Sequence, residues 1–304
     1  MLRLAASLGL LAALLLVLEP QRLAAAFSAP APHWLAAALA LSVPQVVLSA
    51  WRWRFTATRL GAPLGLGEAV REYYLATFLN QILPGGVMGD AARAWRHARR
   101  PRSQVTDAAV GSAAWHAVLI ERASGQFALL LVVLVTLVVS PTLRAASAAF
   151  AGATSGIIAL ALLFAVGSVA AWRGRAHLVR LRHALHHALL ARAVFMRQLL
   201  ASLLVVGSYV GVYLCCMRMI GIDTPVSLAA PLVPWVLLAM AIPLSVAGWG
   251  LREGAAALAW HAAGLDVAQG VAISISYGVV VLLSSLPGAL MLTGRPPARD
   301  ATAD

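Results

Sequence analysis

The stretch NQILPGGVMGD, residues 80–90, places one proline and three glycines inside an otherwise apolar part of the chain. Pro84 interrupts a helical hydrogen-bond ladder, and Gly85 and Gly86 allow backbone angles that other residues resist. The chain is therefore expected to reverse direction here, and a second half-helix is expected to follow with Asp90 as its N-cap. Backbone N–H groups exposed at such a break attract anions.

Polar side chains flank this break on both sides. Asn80 precedes it, and Arg93 follows Asp90 by three residues, which places the two on the same helical face. Two interpretations stay open at this point. The segment is a structural turn in which Asp90 caps the helix and pairs with Arg93, or it forms a polar pocket at the tip of a loop that dips into a membrane.

The composition indicates an all-α polytopic integral membrane protein. Of the 304 residues, 61% are hydrophobic and 11% are charged, and the mean hydropathy is +0.85. An ordinary soluble domain carries about 25% charged residues. All 23 basic residues are arginine. GC-rich codon usage is one explanation. A phosphate-bearing partner is the other, because arginine binds phosphate bidentately. A nucleic-acid partner is not expected, since the arginines lie beside apolar spans.

Six apolar stretches approach the length of a bilayer crossing, about 20 residues. They lie at 2–19, 34–51, 123–141, 153–172, 199–217 and 270–292. The first also resembles a secretory signal, but we expect an uncleaved transmembrane helix. Two further stretches, 67–92 and 228–265, contain proline, glycine and charged residues. Irregular backbone at membrane depth must be buried in protein or line a wet cavity, so both are predicted to be re-entrant helical hairpins.

The arginine distribution supports this topology. With a cytoplasmic N-terminus, 18 of the 23 arginines fall in cytoplasmic segments, three fall outside, and Arg122 and Arg252 remain at membrane depth. The prediction is a single membrane domain, 1–294, with a cytoplasmic tail at 295–304 and a cytoplasmic amphipathic segment at 173–197. Hairpins that enter from opposite faces favour an inverted repeat. Both termini are expected in the cytoplasm.

Two further motifs, LIERASG and GWGLREG, each place a glutamate beside an arginine: Glu121 with Arg122, and Glu253 with Arg252. A charge at the bilayer centre costs about 2.5–3.5 kcal/mol, so these side chains should face a partner or a cavity. A buried structural ion pair is the alternative to a functional site. The pairs could also be exchanged, with Arg122 bound to Glu253 and Arg252 bound to Glu121 or Asp90.

Aromatic and histidine-rich segments carry weaker signals. SAWRWRF at 49–55 and REYYLATF at 71–78 are typical of interfacial anchors, with a lipid-phosphate contact as the alternative. Three histidines at 183, 186 and 187 have metal-ligand spacing, but a solvated basic helix face is the preferred interpretation. The adjacent Cys215 and Cys216 are expected to pack as small apolar residues. The sequence has no P-loop, nucleophile elbow or zinc-protease motif, so no cofactor or metal is predicted.

The blocks WRWRF, FLNQILPGGVMGDAARAWRHARR, IERASG and PLSVAGWGLREGAAALAWHAAGL together resemble the lysylphosphatidylglycerol synthase transmembrane-domain family, over nearly the full chain. The family pattern falls on Asn80, Leu83, Pro84, Gly85, Gly89, Asp90, Arg93, Glu121, Arg122, Gly248, Gly250, Arg252 and Glu253, and Gly86 is added as a site residue. Met88 departs from the Gly-Gly-Asp that members often show. The soluble synthase domain is not found in the chain, so aminoacyl transfer is not implied.

The resemblance implies a flippase-like or scramblase-like lipid transporter that acts on a phospholipid or polyprenyl-phosphate headgroup. The expected partners are anionic or phosphate-bearing membrane lipids, together with a separate lipid synthase or glycosyltransferase. In the predicted mechanism Arg93, Arg122 and Arg252 bind the lipid phosphate in turn, while Asp90, Glu121 and Glu253 hold the arginines when no lipid is present. Two rivals stay open: a membrane-embedded transferase and a non-catalytic partner of a synthase.

Overall fold

A computed structural model describes residues 31–83, 86–99, 107–145, 192–240 and 247–293. In these ranges all regular secondary structure is helical, as the composition predicts. Four helical segments are long and apolar enough to cross a membrane: Pro32–Arg59, Gly111–Val139, Val194–Met219 and Val267–Leu292. They coincide with four of the six predicted crossings. The other two, at 2–19 and 153–172, lie outside the described residues.

The described helices are numbered here in chain order. They are α1 (Pro32–Arg59), α2 (Leu66–Ile82), α3 (Met88–Ala98), α4 (Asp107–Val139), α5 (Pro141–Ala145), α6 (Arg192–Met219), α7 (Val226–Ala229), α8 (Val233–Ala239), α9 (Leu251–Ala262), α10 (Val267–Ser285) and α11 (Pro287–Thr293). Helix α6 begins at Arg192, so it includes the last residues of the predicted amphipathic segment. The rest of that segment, its three histidines and the tail at 295–304 lie outside the described residues.

Helix α1 connects the two apolar cores. Its first half contributes Ala38 to a large core that also contains residues of α4, α6, α9 and α10, among them the buried Cys216 as expected. Its second half contributes Ala50, Trp53 and Ala57 to a smaller core shared with α2, α3 and α4. Small side chains on this face let neighbouring helices approach closely, the usual packing mode inside membranes.

The first interrupted segment is a helix, a short break and a second helix that packs against the first. Helix α2 ends because Leu83 is extended, with ψ at 143°, as expected for a residue before proline. Gly86 has φ at +61°, a value that favours glycine. The N-cap of α3 is Val87, and Asp90 lies in the first turn. The predicted capping role of Asp90 is therefore wrong, because the helix begins two residues before it.

Close contact between α2 and α3 depends on Gly89. A Cβ atom at this position would overlap the backbone carbonyl of Ala76. The Gly89 N–H donates to the side-chain oxygen of Asn80 over 2.8 Å, which joins the end of α2 to the start of α3. The missing side chain and the hydrogen bond of the Gly89 amide together hold the two helices side by side.

The second interrupted segment comprises α8, α9 and the break between them, of which residues 247–250 are described. Helices α8 and α9 also pack against each other. Gly250 has φ at +87°, and its N–H donates to the Glu253 carboxylate over 2.6 Å. Glu253 therefore caps α9 from inside its own first turn. Passage of either segment in and out of one membrane face stays a prediction.

We predict that Gly89→Ala lowers the free energy of unfolding by about 1–3 kcal/mol, the usual cost of overpacking a tight contact. The added methyl group must push α3 away from the Ala76 carbonyl. Thermal unfolding in detergent measures the change. The matched control is Gly111→Ala in α4, where a Cβ meets nothing within 4 Å. Equal stability of the two variants would contradict the proposed helix contact.

Candidate functional site

Five charged side chains from three helices form one cluster. They are Arg52 on α1, Asp90 and Arg93 on α3, and Glu121 and Arg122 on α4. Four of the five are buried, and Arg93 is 0% exposed. The fifth is Arg122, whose side chain is 41% exposed. The cluster is therefore open to its surroundings chiefly through Arg122.

Asp90 accepts hydrogen bonds from three side chains. Its Oδ1 accepts from Arg93 Nε at 3.0 Å and from Arg122 Nη2 at 2.6 Å. Its Oδ2 accepts from the Asn80 amide at 3.1 Å, and the same Asn80 side chain also holds the Gly89 N–H. Asn80 thus fixes the carboxylate relative to the break, which leaves one carboxylate oxygen shared by two arginines.

Glu121 is the second shared carboxylate. Its Oε2 accepts from Arg93 Nη2 at 2.7 Å, and its Oε1 accepts from the Tyr73 hydroxyl at 3.3 Å. The Arg52 guanidinium lies 3.6 Å from the same Oε1. Arg52 also donates to the Glu121 backbone carbonyl and to the Ser124 hydroxyl, both at 2.8 Å. The hydrogen bonds of Arg52 therefore join α1 to α4.

Arg93 connects the two carboxylates. Its guanidinium lies 4.8 Å from the Trp53 ring and 4.5 Å from the Tyr73 ring, at cation–π distance from both. Since it contacts Asp90 and Glu121 at once, it neutralises two acids that are otherwise buried. A buried carboxylate that loses its partner is strongly destabilising. Arg93 is thus placed for stability, and it has no exposed surface to offer a ligand.

The second charged motif forms a separate pair. Arg252 Nε and Nη2 donate to Glu253 Oε1 at 3.0 and 2.6 Å, and Ser274 on α10 joins both side chains. The Arg252 guanidinium lies 4.8 Å from the Trp249 ring and 5.6 Å from the Tyr277 ring. Arg252 is 1% exposed and Glu253 is 0% exposed. This pair anchors α9 to α10 and is closed to ligands as it stands.

The exchanged pairing proposed from the sequence is therefore wrong. Arg122 bonds Asp90 instead of Glu253, and Arg252 bonds Glu253 instead of Glu121 or Asp90. Arg122 pairs with a carboxylate of the first interrupted segment and Arg252 pairs with its sequence neighbour, so none of the described ion pairs joins the two interrupted segments. The simpler alternative, an Asp90–Arg93 pair three residues apart, is present at 3.0 Å.

Sequence reasoning also missed one member of the cluster, Arg52, and the two aromatic rings that contact Arg93. Arg52 and Trp53 were interpreted as an interfacial anchor, and Tyr73 as part of an aromatic belt, but all three are buried. A usable signal was present in α1, since Ser49 and Thr56 lie on the same helix face as Arg52. Small polar residues at helical spacing in an apolar span indicate a face turned toward other helices.

A cavity of about 260 Å³ lies beside the cluster and between the two interrupted segments. Arg52, Glu121 and Arg122 line it together with Asn80. The breaks themselves contribute Gly86, Val87, Ala247 and Gly248. Val87 and Gln126 in the lining are exposed, so the cavity is open to the outside of the protein. Of the predicted site residues, Pro84 and Gly85 lie outside the described part. The described lining does not include Gly89, Asp90, Arg93, Gly250, Arg252 or Glu253.

A comparison with protein-family models matches residues 1–288 to the lysylphosphatidylglycerol synthase transmembrane region. The chain belongs to this family. The match and the long apolar helices together make it a multi-pass membrane protein. No curated protein and no solved structure matches the chain. Membership in the lysylphosphatidylglycerol synthase transmembrane family relates the chain to lipid synthesis or lipid flipping.

We predict that Arg93→Met destabilises the protein by about 3–5 kcal/mol, because it leaves Asp90 and Glu121 short of a buried counter-charge. Thermal unfolding in detergent measures the loss. The matched control is Arg96→Met on the same helix, whose pair with Glu72 is more exposed and should contribute about 0–1 kcal/mol. Similar losses for both variants would show that the Arg93 contacts carry no special stability.

Proposed function

We propose that this protein is a lipid transporter of the flippase or scramblase type in the bacterial inner membrane. The observation that carries the proposal is a charge cluster with one surplus positive charge that opens on a cavity between two interrupted helices. The phosphate of a phospholipid or polyprenyl-phosphate lipid would bind at Arg122 while its headgroup passes through the cavity. The acyl chains would stay in the bilayer.

The charge balance of the cluster supports an anionic ligand. Three arginines face two carboxylates, which leaves one net positive charge among the described members. Buried donors at Arg52 Nε, Arg93 Nη1 and Arg122 Nε have no hydrogen-bond partner within the described part of the chain. Unpaired buried donors of cationic groups are costly, so an anion or its water shell would stabilise this arrangement.

Arg122 is the residue best placed to bind the phosphate. It is the member with substantial exposure, and it lines the cavity. When a phosphate replaces Asp90 as the partner of the Arg122 guanidinium, Asp90 keeps its hydrogen bonds to Arg93 and Asn80. The Asp90 charge therefore stays neutralised. The exchange of carboxylate for phosphate therefore exposes no unpaired charge, which keeps the barrier to binding low.

The proposal changes the predicted relay. In the sequence-based mechanism Arg93, Arg122 and Arg252 bind phosphate in turn, but Arg93 and Arg252 are buried against carboxylates and aromatic rings. We assign Arg93 the role of holding Asp90 and Glu121. Arg252 positions a different part of the cavity lining, since its guanidinium lies against the ring of Tyr277, which lines the cavity.

Both interrupted segments are proposed to be re-entrant. The N-terminus and the C-terminus of the chain are proposed to lie in the cytoplasm. The contact of α2 with α3, and of α8 with α9, supports a reversal of the chain at each break. The two breaks line one cavity, as expected where half-helices meet at a central binding site. A headgroup in this cavity avoids the cost of about 2.5–3.5 kcal/mol for a charge in hydrocarbon.

Reconstitution into liposomes tests the function. We expect the purified protein to move a labelled anionic phospholipid between leaflets. A chemically altered lipid would instead identify a transferase, and movement or modification only after addition of a second protein would identify a synthase partner. Either result, or no lipid movement under any of these conditions, would contradict the proposed transporter.

We predict that Arg122→Gln slows lipid movement by about 10- to 100-fold, the factor for one lost hydrogen bond to a charged group. The fold should survive, since Asp90 retains Arg93 and Asn80. Leaflet exchange in liposomes measures the rate, and thermal unfolding checks the fold. The control is Arg144→Gln on α5, an exposed arginine outside the cavity. A full rate in Arg122→Gln would exclude this residue as the phosphate ligand.

Thiol labelling tests the re-entrant topology. Cys215 and Cys216 are first replaced by alanine. Single cysteines are then placed at Gly67 and Arg99, which are exposed at the ends of α2 and α3 that lie away from the break. A membrane-impermeant reagent should reach both sites from the cytoplasmic side only. Labelling of the two positions from opposite sides would show that the segment crosses the membrane as a plain span.

A further inference from the structure

We propose that an apolar groove between α4, α6, α7 and α8 binds one acyl chain of the transported phospholipid. The groove has a volume of about 560 Å³. It is distinct from the cavity beside the charge cluster, and none of the predicted site residues that the structure describes lines it. The inference rests on the proposed function, which supplies the lipid, and it assigns a second binding site to that lipid.

The side chains that line the groove are almost entirely apolar. In the described lining, valine, leucine, alanine, glycine and proline account for every position except Thr136 and Ser227. The Thr136 hydroxyl donates to the Val133 carbonyl of its own helix at 2.8 Å, and Ser227 belongs to the exposed start of α7. The groove therefore offers van der Waals contacts without a charge, which fits a hydrocarbon chain.

The backbone wall formed by α7 and α8 is irregular, yet it also suits an apolar ligand. Pro231 and Pro234 line the groove and have no N–H group to satisfy. The N–H of Ala230, between α7 and α8, donates to the Val226 carbonyl at 2.8 Å. Contact with a hydrocarbon chain therefore breaks none of these hydrogen bonds, and broken bonds are the usual cost of burying irregular backbone in lipid.

Gly207 keeps the groove open on the α6 side. A Cβ atom at this position meets nothing within 4 Å, so close packing with the described helices does not require glycine here. Gly211, one turn later, differs because its Cβ would lie 2.8 Å from the Leu41 side chain on α1. Glycine is unfavourable inside a helix, and at Gly207 the consequence of the missing side chain is room for a ligand.

Val206 connects the groove to the cavity, because it lines both. The same relation holds on the two neighbouring helices. Leu129 of α4 and Leu237 of α8 line the cavity, whereas Val132 of α4 and Pro234 of α8 line the groove. A lipid whose phosphate binds in the cavity therefore meets the groove on the same three helices.

The distance along α4 fits one acyl chain. Arg122 lines the cavity, and Val132 and Thr136 line the groove at about 15 Å and about 21 Å from it along the helix axis. One leaflet contributes about half of a hydrocarbon core of about 30 Å, so an acyl chain extends over about 15 Å. A chain that begins beyond a phosphate at Arg122 therefore reaches the groove.

The groove would orient the lipid rather than extract it from the bilayer. Lipid tails are as apolar as the groove, so a chain gains no hydrophobic free energy when it moves from one to the other. The favourable contribution comes from van der Waals contacts with a shaped wall. A chain held there keeps its phosphate close to Arg122 and raises the effective concentration of the phosphate at the cavity.

Photo-labelling tests the groove directly. The protein is reconstituted into phosphatidylglycerol vesicles that contain a small fraction of the same lipid with a diazirine in one acyl chain, and mass spectrometry identifies the labelled residues. We expect stronger labelling at Gly207 and Val210 than at Val279 and Leu282, which are exposed on α10 and meet bulk lipid. Equal labelling would show that only bulk lipid reaches the groove, and absence of labelling would show that protein fills it. Either result would overturn the proposal.

Arg122→Gln distinguishes a substrate site from a general lipid contact. If the phosphate in the cavity and the chain in the groove belong to one lipid, loss of the phosphate ligand should lower labelling at Gly207 and Val210 by about tenfold. Labelling at Val279 and Leu282 is the internal reference and should not change. Unchanged labelling of the groove would show that it binds lipid independently of the cavity, which would overturn the proposal.

A filled groove gives the functional test. Gly207→Leu places a side chain in the groove, and the fold should be retained because leucine favours a helix more than glycine does. We expect lipid movement to slow by about tenfold without a lower unfolding temperature. The matched control, Gly111→Leu on α4, makes the same change outside both described linings and should keep the full rate.

Failure of this inference is distinguishable from failure of the proposed function. Specific labelling of the groove in a protein that moves no lipid would contradict the transporter and leave the acyl-chain site standing. Lipid movement at equal rates in the unmodified protein and in Gly207→Leu would overturn the role of the groove alone.

Discussion

Neutralisation of charge inside an apolar helical protein is the constraint on which the rest of this structure depends. Arg52, Arg93 and Arg122 share two carboxylates, and the atoms that make these contacts come from α1, α3 and α4. Because a buried charge without a partner is costly, the three helices cannot separate without a large loss of stability. The break between α2 and α3 brings Asp90 into this arrangement. The Asn80 side-chain amide then holds the Asp90 carboxylate through a hydrogen bond.

The proposed function depends on the fact that the carboxylates do not neutralise all the arginines of the first cluster. A cluster with equal numbers of positive and negative charges would only stabilise the fold, as the Arg252–Glu253 pair does. The first cluster instead keeps one positive charge in excess, and it exposes that charge through Arg122 into a cavity lined by both polar and apolar side chains. In the proposed function, structural and ligand-binding roles are divided between arginines of one cluster.

The sequence predicted the broad architecture because its signals are local. Apolar length located four spans, Pro84 and its neighbours located the first break, and the isolated charges located Glu121 and Arg122. It could not predict which charges pair, since that depends on the distance between helices far apart in the chain. Arg52 and Tyr73 were missed for a related reason: an aromatic and basic segment has the same composition whether it faces lipid headgroups or a buried carboxylate.

The central claim is that the surplus charge at Arg122 binds a lipid phosphate in the cavity. A cryo-EM structure in nanodiscs of phosphatidylglycerol tests it most directly. We expect headgroup density in the cavity, with the phosphate within hydrogen-bond distance of the Arg122 guanidinium. A cavity that holds only water in this lipid, with Arg122 still bound to Asp90 and no phosphate near it, would contradict the account.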